Sequence, residues 1–253
     1  MTILTAASPS KMVRLFLTGA IVLLMSAGAS AQNFGLSFSY FIPKNGYFST
    51  PISPFSIRGL GVDINRYFAL ETGASLYRMS GMNMKDLPIS SKDPFVGPNF
   101  TIFVPAELVF QLKGSQVELD LKGGVFGFYG FAHKLNYGNI DRAIRRFEGW
   151  EVANSELSFK NKPGWGYHVG AELTFYVTGQ VGVSLETNYL MGESAFPLSG
   201  SYTGGNQGTL ETVQLGEAYR NGKIDFTGLE FSIGLIFDTG GSGPRKPRNK
   251  KRR

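Results

Sequence analysis

The chain has 253 residues, no cysteine, 13% aromatic residues and a formal net charge of +6, so disulfides and thiolate chemistry are excluded. The charge belongs to the ends. Of 25 Lys and Arg, Lys11 and Arg14 lie in the first segment and seven in the last, which leaves 16 for residues 32–243 against all 19 acids. That body is mildly acidic, and the high isoelectric point of the whole chain is no sign of a nucleic-acid partner.

In chain order, Lys11 and Arg14 precede an apolar run at 15–25, and small residues then lead to Ala29-Ser30-Ala31. This is the pattern of a secretory signal peptide, residues 1–31, with cleavage expected after Ala31. The run is shorter than the roughly 20 apolar residues of a membrane-spanning helix.

Eight segments then alternate with a period of two: 34–42, 55–64, 68–79, 100–112, 117–128, 165–177, 181–191 and 225–237. Leu36, Phe38 and Tyr40 share one parity against Ser37 and Ser39. Val169, Leu173 and Phe175 oppose Gly170, Glu172 and Thr174, and Leu229, Phe231 and Ile233 oppose Glu230 and Ser232. Successive side chains of a strand point to opposite faces, so each segment has an apolar and a polar face. Strands of a soluble sandwich usually run about five or six residues. The longest of these reach the roughly 9–11 that a tilted strand needs to cross a bilayer.

The connections are also informative. Short links at 65–67, 113–115 and 178–180 alternate with long ones at 43–54, 80–99, 129–164 and 192–224. Short turns on one side and long loops on the other are the architecture of an outer-membrane barrel, and an even strand number puts both termini on the short-turn, periplasmic side. The expectation is an all-β fold: an eight-stranded up-and-down antiparallel transmembrane β-barrel over residues 32–238, with apolar residues toward lipid. Residues 239–253 follow as a flexible basic periplasmic tail.

The parity places Glu71, Glu107, Glu118, Asp120, Glu172, Glu186 and Glu230 in the lumen, with Lys122 as the clear inward cation. A barrel of eight strands is just wide enough for its side chains to fill. These groups therefore either form a solvated polar core or line a narrow cation-preferring path. Arg58 and Arg78 fall on the apolar parity near the outer ends of their strands. Arginine facing lipid is tolerated at the interface, so both are expected in the headgroup layer, gripping phosphates such as those of lipopolysaccharide.

In the longest connection, Ile140, Ala143, Ile144 and Phe147 recur at helical spacing, with Arg142, Arg145 and Arg146 mostly opposite. That is the signature of a short amphipathic helix, packed on the barrel mouth or offered to a partner or lipid surface. His133 and His168 are the two histidines. No G-x-S-x-G elbow and no metal-spaced histidine pair accompanies them, so no catalytic residue, metal or cofactor is expected. The tail carries Arg245, Lys246, Arg248, Lys250, Lys251, Arg252 and Arg253 behind a Gly/Ser linker. It would be held by anionic lipid or an acidic envelope partner, or act as a plain solubilising end.

The signal peptide, the Asn65-Arg66-Tyr67-Phe68-Ala69-Leu70-Glu71-Thr72-Gly73 turn and strand, the carboxylate-in, apolar-out strands and a last strand ending at Phe237 resemble the small outer-membrane β-barrel families. These are the OmpA/OmpX-like eight-stranded barrels and the PorT-like outer-membrane barrels of Bacteroidetes type. The chain departs from them in running on beyond Phe237. The resemblance implies a non-enzymatic integral protein of the bacterial outer membrane, in contact with its lipid and lipopolysaccharide. Its role would be structural, surface-binding, or within a secretion or assembly complex of the envelope. A small passive pore is the alternative, ahead of a lipid-modifying enzyme or a soluble lipocalin-like carrier.

Overall fold

The computed structural model describes residues 33–238, the side chains of 33 and 48–55 excepted. The expected signal peptide and basic tail lie outside the described residues.

Eight long strands form the wall: β1 Asn33–Pro43, β2 Gly46–Asp63, β3 Phe68–Met82, β5 Asn99–Lys113, β6 Val117–Phe131, β8 Gly164–Tyr176, β9 Val181–Ala195 and β13 Gly228–Asp238. Each pairs antiparallel with the next, and the ladder closes on itself. β13 runs against β1 from Asn33↔Asp238 to Pro43↔Gly228, and against β9 from Phe237↔Val181 to Gly228↔Leu190. A closed ladder has no edge, so the wall leaves no row of backbone groups unpaired for lipid to meet.

The expected alternation sets the faces. Leu36, Phe38 and Tyr40 on β1, Leu229, Phe231 and Ile233 on β13, and Tyr167 and Val169 on β8 are exposed outward, and their intervening neighbours are buried. A contiguous apolar belt of this extent is foreign to a water-facing monomer. It makes the fold a transmembrane β-barrel.

At one end the strands are joined by tight turns. Asn65 Oδ1 accepts from the Tyr67 and Phe68 amides at 2.8 and 3.0 Å, and Thr178 Oγ1 accepts from the Val181 amide at 3.0 Å. These are the local side-chain bonds that favour Asn and Thr in turns. At the other end three long connections carry structure of their own. The first contains β4, Met84–Lys85. The second contains helix α1, Tyr137–Glu148, and β7, Val152–Phe159. The third contains β10 Leu198–Asn206, β11 Thr209–Gln214, a 3-10 turn Glu217–Asn221 and β12 Lys223–Asp225. β12 pairs antiparallel with the end of β9 and with β4, while β7, β10 and β11 form a separate three-stranded sheet.

The connection expected at 43–54 is mostly strand instead. β2 starts at Gly46 and pairs with β3 from Gly46↔Met82 to Pro51↔Tyr77, then again from Ser56, with a register shift between. Pro51 and Pro54 break the sequence pattern because proline cannot donate to the ladder, but an irregular stretch of strand accommodates them.

Candidate functional site

The inner face divides into two layers. Toward the turn end lies a charged layer. Lys122 Nζ on β6 reaches Glu172 Oε2 at 2.5 Å, Glu186 Oε1 at 3.4 Å and Glu71 Oε2 at 3.7 Å. Asn188 Nδ2 donates to Glu186 Oε1 at 3.0 Å and to Glu230 Oε2 at 2.8 Å, joining two carboxylates. Nearer the turns, Glu118 accepts from Tyr176 Oη at 2.7 Å and faces Lys113 Nζ at 3.5 Å. Asp120 stands beside them with Oδ1 free of hydrogen bonds. His168 Nε2 lies 3.1 Å from Glu107 Oε1, off hydrogen-bonding alignment.

The structure thus brings Glu71, Glu107, Glu118, Asp120, Lys122, Glu172, Glu186 and Glu230 inside the barrel. It also corrects one expectation. Arg58 is turned inward and buried, bonding Glu230 and lying 4.0 Å from Glu186. The cause is a bulge. Ile57 pairs with Ala74 and Leu60 with Thr72, so β2 spends one more residue than β3 over this step, with Gly59 at φ +67°. One extra residue reverses the facing of what precedes it. Leu60 and Val62 therefore keep the expected face while Arg58 exchanges lipid for lumen. Tyr77, whose hydroxyl donates to Glu230, joins the same cluster. Arg78 remains exposed on the outer face, as its parity requires.

Above the charges sits an aromatic stopper. Phe226, just before β13, stacks on Phe41 and on Phe128, each at 4.5 Å between centroids. Phe103 and Phe126 pack alongside at 4.8 Å from one another. Inward glycines make the space: a Cβ on Gly192 would stand 2.7 Å from the Phe126 ring. All these rings are buried, and the side chain of Lys122 beneath them has no accessible surface. The interior is filled, as expected for eight strands.

Over the stopper the connections build a lid. Ile140, Ala143 and Ile144 of α1 are buried with Ile89, Phe95, Val96, Phe196 and Leu198 in one continuous core. The sequence-expected helix is present, but Phe147 of its apolar set is exposed. Asp141 fixes α1 to β7, accepting from the Ser155 amide at 3.0 Å and from Ser155 Oγ at 2.5 Å. Tyr202 donates to Glu148 at 2.5 Å and packs on Trp150; burial, then this bond, pushes the Tyr202 hydroxyl pKa up. His133 sits between Phe159 and Phe196, with Asn99 Nδ2 at 3.0 Å from its Nε2, and burial lowers its pKa to about 4. Both histidines are thus committed to packing.

The exposed side of the lid is where charge collects. Arg142, Arg145 and Arg146 line a cleft of about 440 Å³ with Asp93 and Trp150. Arg146 also borders a second hollow with Lys44 and Lys92. Sequence periodicity found the arginines but not their companions from other connections.

No protein-family model matches the chain, and no curated protein does. Solved structures of small outer-membrane barrels do. The outer membrane protein OprG from Pseudomonas aeruginosa is 11% identical, over 83% of this chain and 97% of that one, with a TM-score of 0.47. Neisserial surface protein A is 14% identical over 81% and 94%, TM-score 0.38, and the attachment invasion locus protein Ail of Yersinia pestis 10% over 81% and 94%, TM-score 0.36. The likeness concerns the barrel; the assignment above rests on the closed strand ladder and the outward apolar belt.

Proposed function

We propose that this is a non-enzymatic integral protein of the bacterial outer membrane, a sealed barrel that presents its loop platform outside the cell as a binding surface. The observation that carries the reading is the contrast between the two ends of the molecule. The axis is blocked by Phe226 over an inaccessible Lys122, whereas the long connections spend a helix and a second sheet on building an ordered lid. Binding residues concentrate on connections held by a rigid scaffold, which is what this barrel supplies. A passive cation path would need a hydrated axis, and the filled interior speaks against it.

The turn end and both chain termini face the periplasm in this reading, and Arg78 meets lipid headgroups from the outer face. The seven tail cations, Arg245 to Arg253, would then reach anionic envelope components from within. The PorT-like resemblance implies a secretion or assembly complex instead, and such a partner would use the same lid. The test combines three measurements. The protein should partition with outer membranes and migrate differently before and after boiling. Planar bilayers holding it should show no steady conductance. A tag placed in the exposed β10–β11 hairpin at Gln207 should be labelled on intact cells. Steady channels would favour the pore, and an unlabelled tag would turn the platform inward.

A further inference from the structure

The groove beside α1 gathers three arginines, an aspartate and a tryptophan. Arg142, Arg145 and Arg146 stand at i, i+3 and i+4, so all three guanidiniums emerge on one side of the helix. Their existing contacts commit them to different degrees. Arg142 donates from Nε to the Gly138 carbonyl at 3.2 Å and from Nη2 to Asn139 Oδ1, with Nη2 also 3.5 Å from Asp93 Oδ2. Arg145 Nη1 donates to the Glu151 carbonyl at 3.4 Å, and Arg146 donates from Nε to the Arg142 carbonyl at 3.3 Å and from Nη2 to Ser91 Oγ at 3.5 Å. A guanidinium has five N–H donors in a rigid fork, so Arg145 and Arg146 keep most of theirs for an oxyanion and Arg142 keeps its Nη1.

Arg146 also borders the second hollow, of about 510 Å³, with Lys44 and Lys92. Among the described residues neither lysine has a carboxylate within ion-pair distance, and Asp93 is the acid lining the first cleft. Cations therefore line both hollows, with Arg146 common to the two. A single small anion would not use both hollows. Trp150 lines the first, half-buried, its ring packed on Tyr202 at 5.7 Å between centroids. An aromatic face beside guanidiniums supplies apolar stacking next to charge, which suits a ring bearing acidic substituents.

The geometry points to an acidic polysaccharide strand as the ligand of this groove, its sulfate, phosphate or carboxylate groups on the arginines and lysines and one sugar ring against Trp150. The inference rests on the lid being the binding surface and names what it binds. Two sources share the chemistry: a soluble or host-borne acidic glycan, and the phosphorylated saccharide of lipopolysaccharide in the surrounding membrane.

The experiment uses the full chain in nanodiscs of zwitterionic lipid. Fluorescent sulfated and galacturonate oligosaccharides of eight sugars are titrated by anisotropy, with a neutral glucose oligomer as control and inorganic tripolyphosphate as a ringless anion. Both acidic chains should bind, more weakly as salt rises, and the neutral one should not. The surface variant R145Q/R146Q should lose about tenfold or more in affinity for acidic chains, as expected when charge-assisted hydrogen bonds are removed. Trp150→Ala should weaken the saccharides and spare tripolyphosphate, while Trp150→Tyr should retain them. Boiling-sensitive migration of each variant confirms its barrel.

Competition by lipopolysaccharide vesicles would assign the ligand to the protein's own membrane, and its absence to a soluble glycan. Equal binding of the neutral oligomer, unchanged affinity in R145Q/R146Q, or no acidic binding would overturn the inference. With the lid labelled on intact cells and the bilayer silent, such a result removes the ligand and leaves the surface-binding reading standing.

Discussion

Arg58 and Glu230 meet inside the barrel, brought together from strands that are not neighbours, since β1 runs between β2 and β13. Side chains of both are almost wholly buried, and Glu230 also accepts from Tyr77 and Asn188. Removing one partner of such a pair leaves an uncompensated charge and costs about 3–5 kcal/mol, whereas replacing both by apolar groups is often far milder. Arg58→Met alone should therefore lower the urea midpoint of unfolding in detergent sharply, and R58M/E230M should recover much of the loss. A double variant as weak as the sum of its parts would show that the two residues act separately.

Gly59 makes that meeting possible. It adopts φ +67°, and a Cβ built there touches nothing within 4 Å, so a substitution is opposed by backbone conformation alone. The left-handed region costs an ordinary residue about 1–2 kcal/mol, and asparagine less. Gly59→Asn should unfold near the wild-type midpoint and Gly59→Val well below it. The same midpoint for both would mean that the bulge relaxes.

The same bulge shows where the sequence stopped being legible. Eight strands could be read because a period of two survives in each, and the inward carboxylates followed from it. Arg58 could not be placed, because one inserted residue reverses a parity count and the only local sign is a pair of glycines around Leu60. Phe226 sits in the eighth alternating segment, yet nothing local says that it turns into the axis and meets β1 and β6. The β7–β10–β11 sheet joins segments about forty residues apart, such as Glu156 and Ser201. Pairing at that distance leaves no periodic trace beyond short polar strands. The arginine face of α1 was legible as an amphipathic pattern, but its partners Lys44, Lys92 and Asp93 come from connections that only the fold brings near.

The stopper should be separable from the wall. Phe226→Ala removes a ring that stacks on two others and leaves a cavity on the axis. Deleting a buried phenylalanine side chain costs about 3–5 kcal/mol. The variant should unfold at lower urea, and F226A/F126A should produce channel events in planar bilayers where the parent gives none. A silent double variant that still migrates as a folded barrel would place the seal in the charged layer below.

Asp141 ties the helix to the second sheet through both the amide and the hydroxyl of Ser155, a buried residue. Removing the acceptor leaves two buried donors unpaired, each costing about 1–3 kcal/mol. Asp141→Ala should open the 132–163 connection to limited proteolysis while the barrel core stays resistant. Unaltered cleavage would mean that the apolar contacts of Ile140 and Ile144 hold the helix without it.

His133 gives the lid a pH dependence of known sign. Burial between Phe159 and Phe196 holds its folded pKa at about 4, below the ordinary value of 6.5. Between those values the unfolded lid binds more protons than the folded one, so stability falls as pH drops through the window, by at most about 3 kcal/mol for this group. In the folded lid the neutral ring offers Nε2 to the Asn99 amide at 3.0 Å, and protonation would set two donors face to face. Amide exchange in the 132–163 connection should quicken from pH 7 to pH 4.5 beyond the intrinsic change, and His133→Phe should remove most of that increment. A variant as pH-sensitive as the parent would assign the effect to the carboxylates, whose protonation the His133 substitution does not touch.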